Sequence, residues 1–191
     1  MKVFFFGGTF DPPHIGHELI IKKILPMCEK LILFPVNHSP DKNNRPLASN
    51  EHRLNMLKIL FENNQIEIDD FDLKAGKENY TYLTISYLKK KYINSEISMI
   101  IGYDQLENLK NWKKYKTILE NVKIICFNRN NKKGSFDNHM LKGKISYIRD
   151  FNIDISSTEI RRQLLKNNLH IIENTMNPIL VEYIKENNLY V

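Results

Sequence analysis

Two histidines three residues apart, His14 and His17, follow a pair of glycines, Gly7 and Gly8, near the start of the chain. A glycine pair lets backbone N–H groups approach a ligand closely. A helix starting just beyond adds the positive end of its dipole, and both features suit a phosphate. Imidazoles beside such a cradle can donate hydrogen bonds to phosphoryl oxygens and stabilise the charge that builds during transfer. Alone, a His-x-x-His pair is more often surface decoration or an incidental metal site; the glycines, the helix start and the preceding strand together favour the phosphate. A second group lies far along the chain, where Ser156, Ser157 and Thr158 precede Glu159 and Arg161. A hydroxyl caps a helix there and an acid occupies its first turn. The helix amides, the hydroxyls and the Arg161 fork can hold phosphate oxygens, although this pattern alone is also that of a plain capped helix.

These groups need elements to position them. Val3 to Phe6 is a short apolar run without helical gaps, bounded by Gly7, and reads as a buried strand. Ile15, Leu19, Ile20 and Ile24 give a helix with one apolar face. Lys30 to Val36 is a second strand, so the opening stretch is one parallel βαβ unit. The polar segment Asn37 to Ser49 is a loop with Asp41, Lys42 and Arg45 as its charged members. It leaves the carboxyl end of a strand, where ligands bind in open α/β sheets. A helix follows from Ser49, with Leu54, Leu57, Leu60 and Phe61 on its apolar side. Further strands are expected at Ile66 to Phe71, Glu96 to Ile101, Val122 to Phe127 and Lys144 to Ile148. Thr81 to Tyr92 is a helix with Leu83, Ile85 and Leu88 inward. A turn or short helix carries Tyr103 to Leu106, and 128–143 is a long loop dense in Asn, Lys and Gly. No repeat or interior linker interrupts the chain. Its β/α alternation predicts an α/β fold: a Rossmann-like doubly wound parallel sheet, one domain over 1–191 that includes C-terminal helices at about 156–191.

Composition narrows the rest. A chain of 191 residues, 42% hydrophobic and 26% charged, has enough apolar residues for a substantial core. No stretch approaches the ~20 apolar residues of a membrane helix, and the apolar N-terminal run is too short for a signal peptide. A cytoplasmic protein is expected, without a membrane partner. Cys28 and Cys126 lack metal-type spacing and read as buried or incidental thiols. The formal charge of +6 is spread over lysines such as Lys89 to Lys91, Lys113 and Lys114, which reads as solvated faces. No nucleic-acid partner is expected.

Gly-Gly-Thr-Phe-Asp-Pro-Pro-His-Ile-Gly-His at 7–17 resembles the G-G/S-x-F-D-P-x-H-x-G-H signature of the nucleotidyltransferase superfamily that includes the adenylyltransferases, and it matches every defined position. Ile-Ser-Ser-Thr-Glu-Ile-Arg at 155–161 is similar to that superfamily's second signature. Within it, the chain resembles the bacterial nicotinate-nucleotide adenylyltransferases over nearly its whole length. The resemblance rests on Pro40-Asp41-Lys42, Ser49 to Arg53, Tyr80-Thr81, Gly102-Tyr103-Asp104 with Leu106 and Trp112, and Pro178 to Tyr190. Phosphopantetheine adenylyltransferases usually have Thr where His14 stands, and the cytidylyltransferase ending Arg-Thr-x-Gly-Ile-Ser-Thr is absent. Asp41 stands where the family usually has His; Lys42 is kept.

The resemblance implies adenylyl transfer from ATP to nicotinate mononucleotide, giving deamido-NAD and pyrophosphate by direct in-line attack. The alternatives are another mononucleotide or phosphopantetheine adenylyltransferase, or a non-catalytic nucleotide sensor on the same fold. His14, His17, Arg161 and Lys42 are the expected catalytic groups. Gly7, Gly8, Thr9, Phe10, Gly102, Asp104, Ser157 and Thr158 are expected around ATP. Thr81, Trp112 and Lys42 are expected at the nicotinate mononucleotide, with Trp112 stacked on its ring and Thr81 near its carboxylate. Mg²⁺ would arrive with ATP and bind through substrate phosphates, with no dedicated protein ligands. The oligomeric state is left open, a homodimer included.

Overall fold

The apolar runs near 3–6, 31–34, 97–101 and 124–127 are apolar on both sides of the backbone, so they fold as strands buried on both faces. The structure, a computed structural model, describes residues 1–37, 45–61, 63–75, 79–127, 143–149, 151 and 155–191. Its strands are β1 (Lys2–Gly8), β2 (Lys30–Pro35), β3 (Ile66–Ile68), β4 (Glu96–Gly102), β5 (Lys123–Phe127) and β6 (Ile145–Ile148). They form one parallel sheet in the order β3-β2-β1-β4-β5-β6, with Phe6 opposite Leu33 on one side and Ile100 on the other. This is the doubly wound, Rossmann-like sheet expected from the sequence, and its strand order reverses between β1 and β4.

The helices are α1 (Ile15–Ile24), α2 (Asn50–Phe61), α3 (Phe71–Lys74), α4 (Thr81–Lys91), α5 (Tyr103–Asn108), α6 (Tyr115–Asn121), α7 (Ser157–Leu165), α8 (Leu169–Glu173) and α9 (Pro178–Glu186). Alternate strand residues serve opposite faces. Val3, Phe5, Met99, Ile101, Ile124 and Cys126 meet α4, α5 and α6, whereas Phe4, Leu31, Leu33, Ile100 and Ile125 meet α1 and α2. A third apolar cluster, including Met56, Ile160, Ile172, Leu180, Ile184 and Tyr190, docks α7, α8 and α9 against α2.

Several expectations need correction. The strand from Ile66 stops at Ile68 and does not reach Phe71. The Asp69 carboxylate accepts the Phe71 amide at 2.9 Å, turning the chain into α3. Leu83 does not face inward but is 39% exposed, and Thr84 is buried in its place because a buried carboxylate, described below, binds its hydroxyl. The stretch before Val122, unassigned from sequence, forms α6. Lys89 to Lys91, Lys113 and Lys114 are exposed, as expected, and Lys91, Lys113 and Lys114 also make specific contacts. Lys91 bonds Asp69 at 2.7 Å, Tyr87 at 3.1 Å and Glu67, while Lys113 and Lys114 lie 4.1 and 4.4 Å above the rings of Tyr80 and Tyr82. Both cysteines are buried, as expected, and burial pushes their thiols up to about 11 and about 12. Among the described residues no helix is long and apolar enough to cross a membrane. The loop assigned to 128–143 lies outside the described residues except for Gly143, and so do Asp41 and Lys42.

Candidate active site

A cleft of about 710 Å³ opens where the strand order reverses, within the roughly 300–1,000 Å³ typical of small-molecule sites. Gly7, Gly8, Thr9 and Phe10, at and just beyond the end of β1, line it together with His14 and His17. Gly102 and Asp104 enter from the end of β4 and the start of α5. Thr81 and Trp112 line it too, as does Ser157 at the start of α7. Residues at the amino ends of α1, α4, α5 and α7 therefore share one cleft, concentrating donors and positive dipole ends suited to an anion.

His14 is the N-cap of α1 and is buried, and its ring lies over that of His17 with centroids 3.8 Å apart. The backbone N–H of His14 donates to Nδ1 of His17 at 3.2 Å. With Nδ1 acting as acceptor, the neutral His17 ring carries its proton on Nε2. Phe10 adopts a left-handed backbone (φ 49°), which turns its ring into the core beneath Gly8, Phe6 and His17. A Cβ at Gly8 would stand 2.8 to 3.1 Å from three atoms of that buried ring. At Gly102 a Cβ would stand 2.6 Å from Oδ1 of Asp104, an exposed side chain that can move. The two alanine variants should therefore differ in kind. Gly8→Ala should lose about 1–3 kcal/mol by overpacking. Gly102→Ala should unfold within about 0.5 kcal/mol of wild type while displacing Asp104. Urea titrations of the two variants separate these outcomes.

Arg161 and Thr158 do not line the cleft among the described residues. The Arg161 guanidinium donates to the Asp11 carbonyl at 2.6 Å, stands 3.5 Å from the Asp11 carboxylate, and donates to Thr158 Oγ1 at 3.3 Å. Ser157 donates its hydroxyl to the Pro12 carbonyl at 2.9 Å, tying α7 to the first motif. Thr81 is not the cap of α4. That position belongs to Tyr80, leaving Thr81 on the cleft wall. Trp112 packs on the core edge, and its indole N–H is buried without a hydrogen-bond partner among the described residues.

Three residues that give the site its shape were not singled out by sequence. Asp11 is buried, and its carboxylate accepts from the amides of Leu47 and Ala48 at 2.8 and 3.0 Å and from the Tyr190 hydroxyl at 2.8 Å. Arg53, fully buried, donates to the carbonyls of Thr9 and Val36, both at 2.7 Å, clamping the chain leaving β1 and β2. Burial lowers the Arg53 pKa, while nearby Asp11 opposes that shift. Asp72, on the cleft wall, accepts from Asn79 at 2.5 Å and Thr84 at 2.8 Å. Only the Asp of the first motif was visible as a pattern; Arg53 and Asp72 look like ordinary helix residues until their distant partners arrive.

Burial pushes the Asp72 carboxyl from 3.8 up to about 6, against the pull of its bonds to Thr84 and Asn79, and the Asp69 charge adds to the rise. A raised carboxyl pKa favours the neutral form in the fold. Its contribution to stability is thus complete below pH 4 and lost as pH rises through about 6. The unfolding free energy of wild type relative to Asp72→Asn should fall by about 2–3 kcal/mol between those limits, measured by denaturant titration at stepped pH.

Residues 5–163 match the family described as Cytidylyltransferase-like. A protein of Fusobacterium nucleatum named "Probable nicotinate-nucleotide adenylyltransferase" is 38% identical over 86% of this chain and 88% of its own. One of the same name from Borrelia garinii subsp. bavariensis is 36% identical over 100% of this chain and 95% of its own. A Plasmodium falciparum nicotinic acid mononucleotide adenylyltransferase, solved in complex with NaAD, superposes with a TM-score of 0.82 at 25% identity, covering 99% of this chain and 97% of that one. With both signatures meeting in one cleft and relatives matched over most of their length, the chain belongs to the nicotinate-nucleotide adenylyltransferase family of nucleotidyltransferases.

Proposed function

We propose that this cleft transfers the adenylyl group of ATP to nicotinate mononucleotide, releasing pyrophosphate and forming deamido-NAD. The observation that carries the reading is the convergence of His14, His17, Thr9 and Ser157 with Thr81 and Trp112 in a single cleft. A phosphate oxygen of the mononucleotide attacks the α-phosphorus of ATP, a P–O bond forms, and the bond to the β-phosphate oxygen breaks as pyrophosphate leaves. No enzyme-bound intermediate is required, so catalysis is positioning and charge stabilisation. His17 Nε2–H donates to phosphoryl oxygens as charge develops, and His14 holds the His17 ring by stacking and through its amide. Arg161 and Thr158 support the phosphate end by fixing the first motif. Thr9, with the backbone at Gly7 and Gly8, borders the nucleotide, and Gly102 and Asp104 serve its ribose. Trp112 offers a ring face to the pyridine end, in the same cleft as Thr81. Lys42 is proposed from its motif alone.

Among the described residues no three His, Cys, Asp or Glu side chains are grouped to hold a metal ion. The imidazoles and hydroxyls of the cleft suit charged phosphate oxygens, and Mg²⁺ would be carried by those oxygens and water and would neutralise part of their charge. Chemistry on these metabolites fits a cytoplasmic enzyme. The test is pyrophosphate release from ATP and Mg²⁺ with nicotinate mononucleotide, nicotinamide mononucleotide and phosphopantetheine supplied separately. Release with the nicotinate form alone is expected. Release only with another acceptor, or with none, overturns the assignment.

A further inference from the structure

The structure holds a closed triangle of side chains that the transfer chemistry does not use. Asp72 Oδ1 accepts from Asn79 Nδ2 at 2.5 Å and from Thr84 Oγ1 at 2.8 Å, and Asn79 Nδ2 donates to Thr84 Oγ1 at 3.1 Å. Asp72 stands on α3, Asn79 immediately before the cap of α4, and Thr84 one turn into α4. All three line the same cleft as Tyr80, Thr81 and Trp112. Asp72 and Thr84 are buried, so water competes little for these bonds. Tyr80 and Thr81 lie between Asn79 and Thr84, and their backbone is thereby held from both sides. Lys113 over the Tyr80 ring then joins this start of α4 to the Trp112 turn.

We propose that Asp72 is a positioning residue for the acceptor substrate, acting through Asn79 and Thr84 to fix Thr81 on the cleft wall. The inference rests on the reading that the Thr81 and Trp112 end of the cleft receives the acceptor. Its physical basis is that two donors, Asn79 Nδ2 and Thr84 Oγ1, converge on one oxygen of a buried carboxylate. Without that oxygen, Asn79 and Thr84 no longer share a fixed point, and the first turn of α4 is free to shift relative to Trp112. ATP, proposed to lie along β1, β4 and α7, is bound by residues outside this triangle, so its affinity should be unaffected.

The experiment starts with wild type and the three acceptors named above. Failure to use nicotinate mononucleotide is read at this stage and overturns the functional assignment. The positioning role is then read on whichever acceptor is turned over. In Asp72→Ala and in the near-isosteric Thr84→Val, the acceptor KM should rise about tenfold, with ATP KM and kcat within about twofold of wild type. Asp72→Asn keeps an oxygen for both donors and should bring the acceptor KM back to within about threefold. Thr84→Val guards against a misfolded Asp72→Ala, since at nearly constant volume it removes the two bonds of Thr84 Oγ1 and leaves the Asn79 to Asp72 bond in place. The proposal is overturned by equal rises in both KM values, by a fall in kcat alone, by an unchanged acceptor KM in Thr84→Val, or by an Asn variant no better than Ala. A wild type that turns over no acceptor overturns both readings.

Discussion

His17→Ala should lower kcat by about 10²–10³-fold, the cost of removing one preorganised donor to charge that develops in the transition state. The expectation is specific to one nitrogen. Nδ1 of His17 is occupied by the His14 amide, leaving Nε2–H as the donor. Glutamine can place an N–H near the Nε2 position, whereas asparagine can only copy the Nδ1 acceptor. The Gln variant should therefore retain at least tenfold more activity than Asn. Single-turnover rates with ATP and nicotinate mononucleotide measure this directly, and KM for ATP should move much less than kcat. Equal activity in the Gln and Asn variants would assign His17 to shaping the start of α1. A kcat within threefold of wild type in the Ala variant would remove it from the chemistry.

The largest stability effect is expected at Asp11. Its carboxylate is the shared acceptor for the Leu47 and Ala48 amides and the Tyr190 hydroxyl, and it stands 3.5 Å from the Arg161 guanidinium. Asp11→Ala strands those donors and leaves the buried Arg53 cation with less compensating charge. Removing one partner of a buried charge cluster costs about 3–5 kcal/mol, well above the desolvation relief gained. Tyr190→Phe deletes a single bond to the same carboxylate and should cost about 1 kcal/mol. Urea unfolding of the two variants gives the ratio. If Asp11→Ala loses no more than Tyr190→Phe, the carboxylate is not the hub its contacts describe.

What could be read from the sequence divides along a physical line. The strands β1, β2, β4 and β5 were legible because strands buried on both faces are apolar almost throughout, Ser98 of β4 being the one polar residue inside these runs, and that is a local property. The glycine and histidine motif was legible because a phosphate cradle demands small residues and a helix start within a few positions. Arg53 was not, since its partners are carbonyls of residues 17 and 44 positions away, and nothing local marks an arginine that will be fully buried. Asp72 escaped because its partners, 7 and 12 residues on, lie beyond its own helix, so no spacing within one element marks the pairing. The inward turn of Thr84 in place of Leu83 follows from that missed carboxylate and not from helical periodicity. Asp69 ended β3 early through an Asx turn, a bond that an alternating Ile-Glu-Ile pattern does not reveal.

The bond between Tyr190 and Asp11 spans 179 residues of sequence. During synthesis at about 5–20 residues per second, roughly 9–36 s separate the appearance of Asp11 from that of the tyrosine that completes its set of partners. The nascent chain can lay down β1, α1 and β2 in that interval. Arg161 and then Tyr190 reach the carboxylate only once α7 to α9 have left the ribosome, so the buried cluster around Asp11 is completed long after its first member is made.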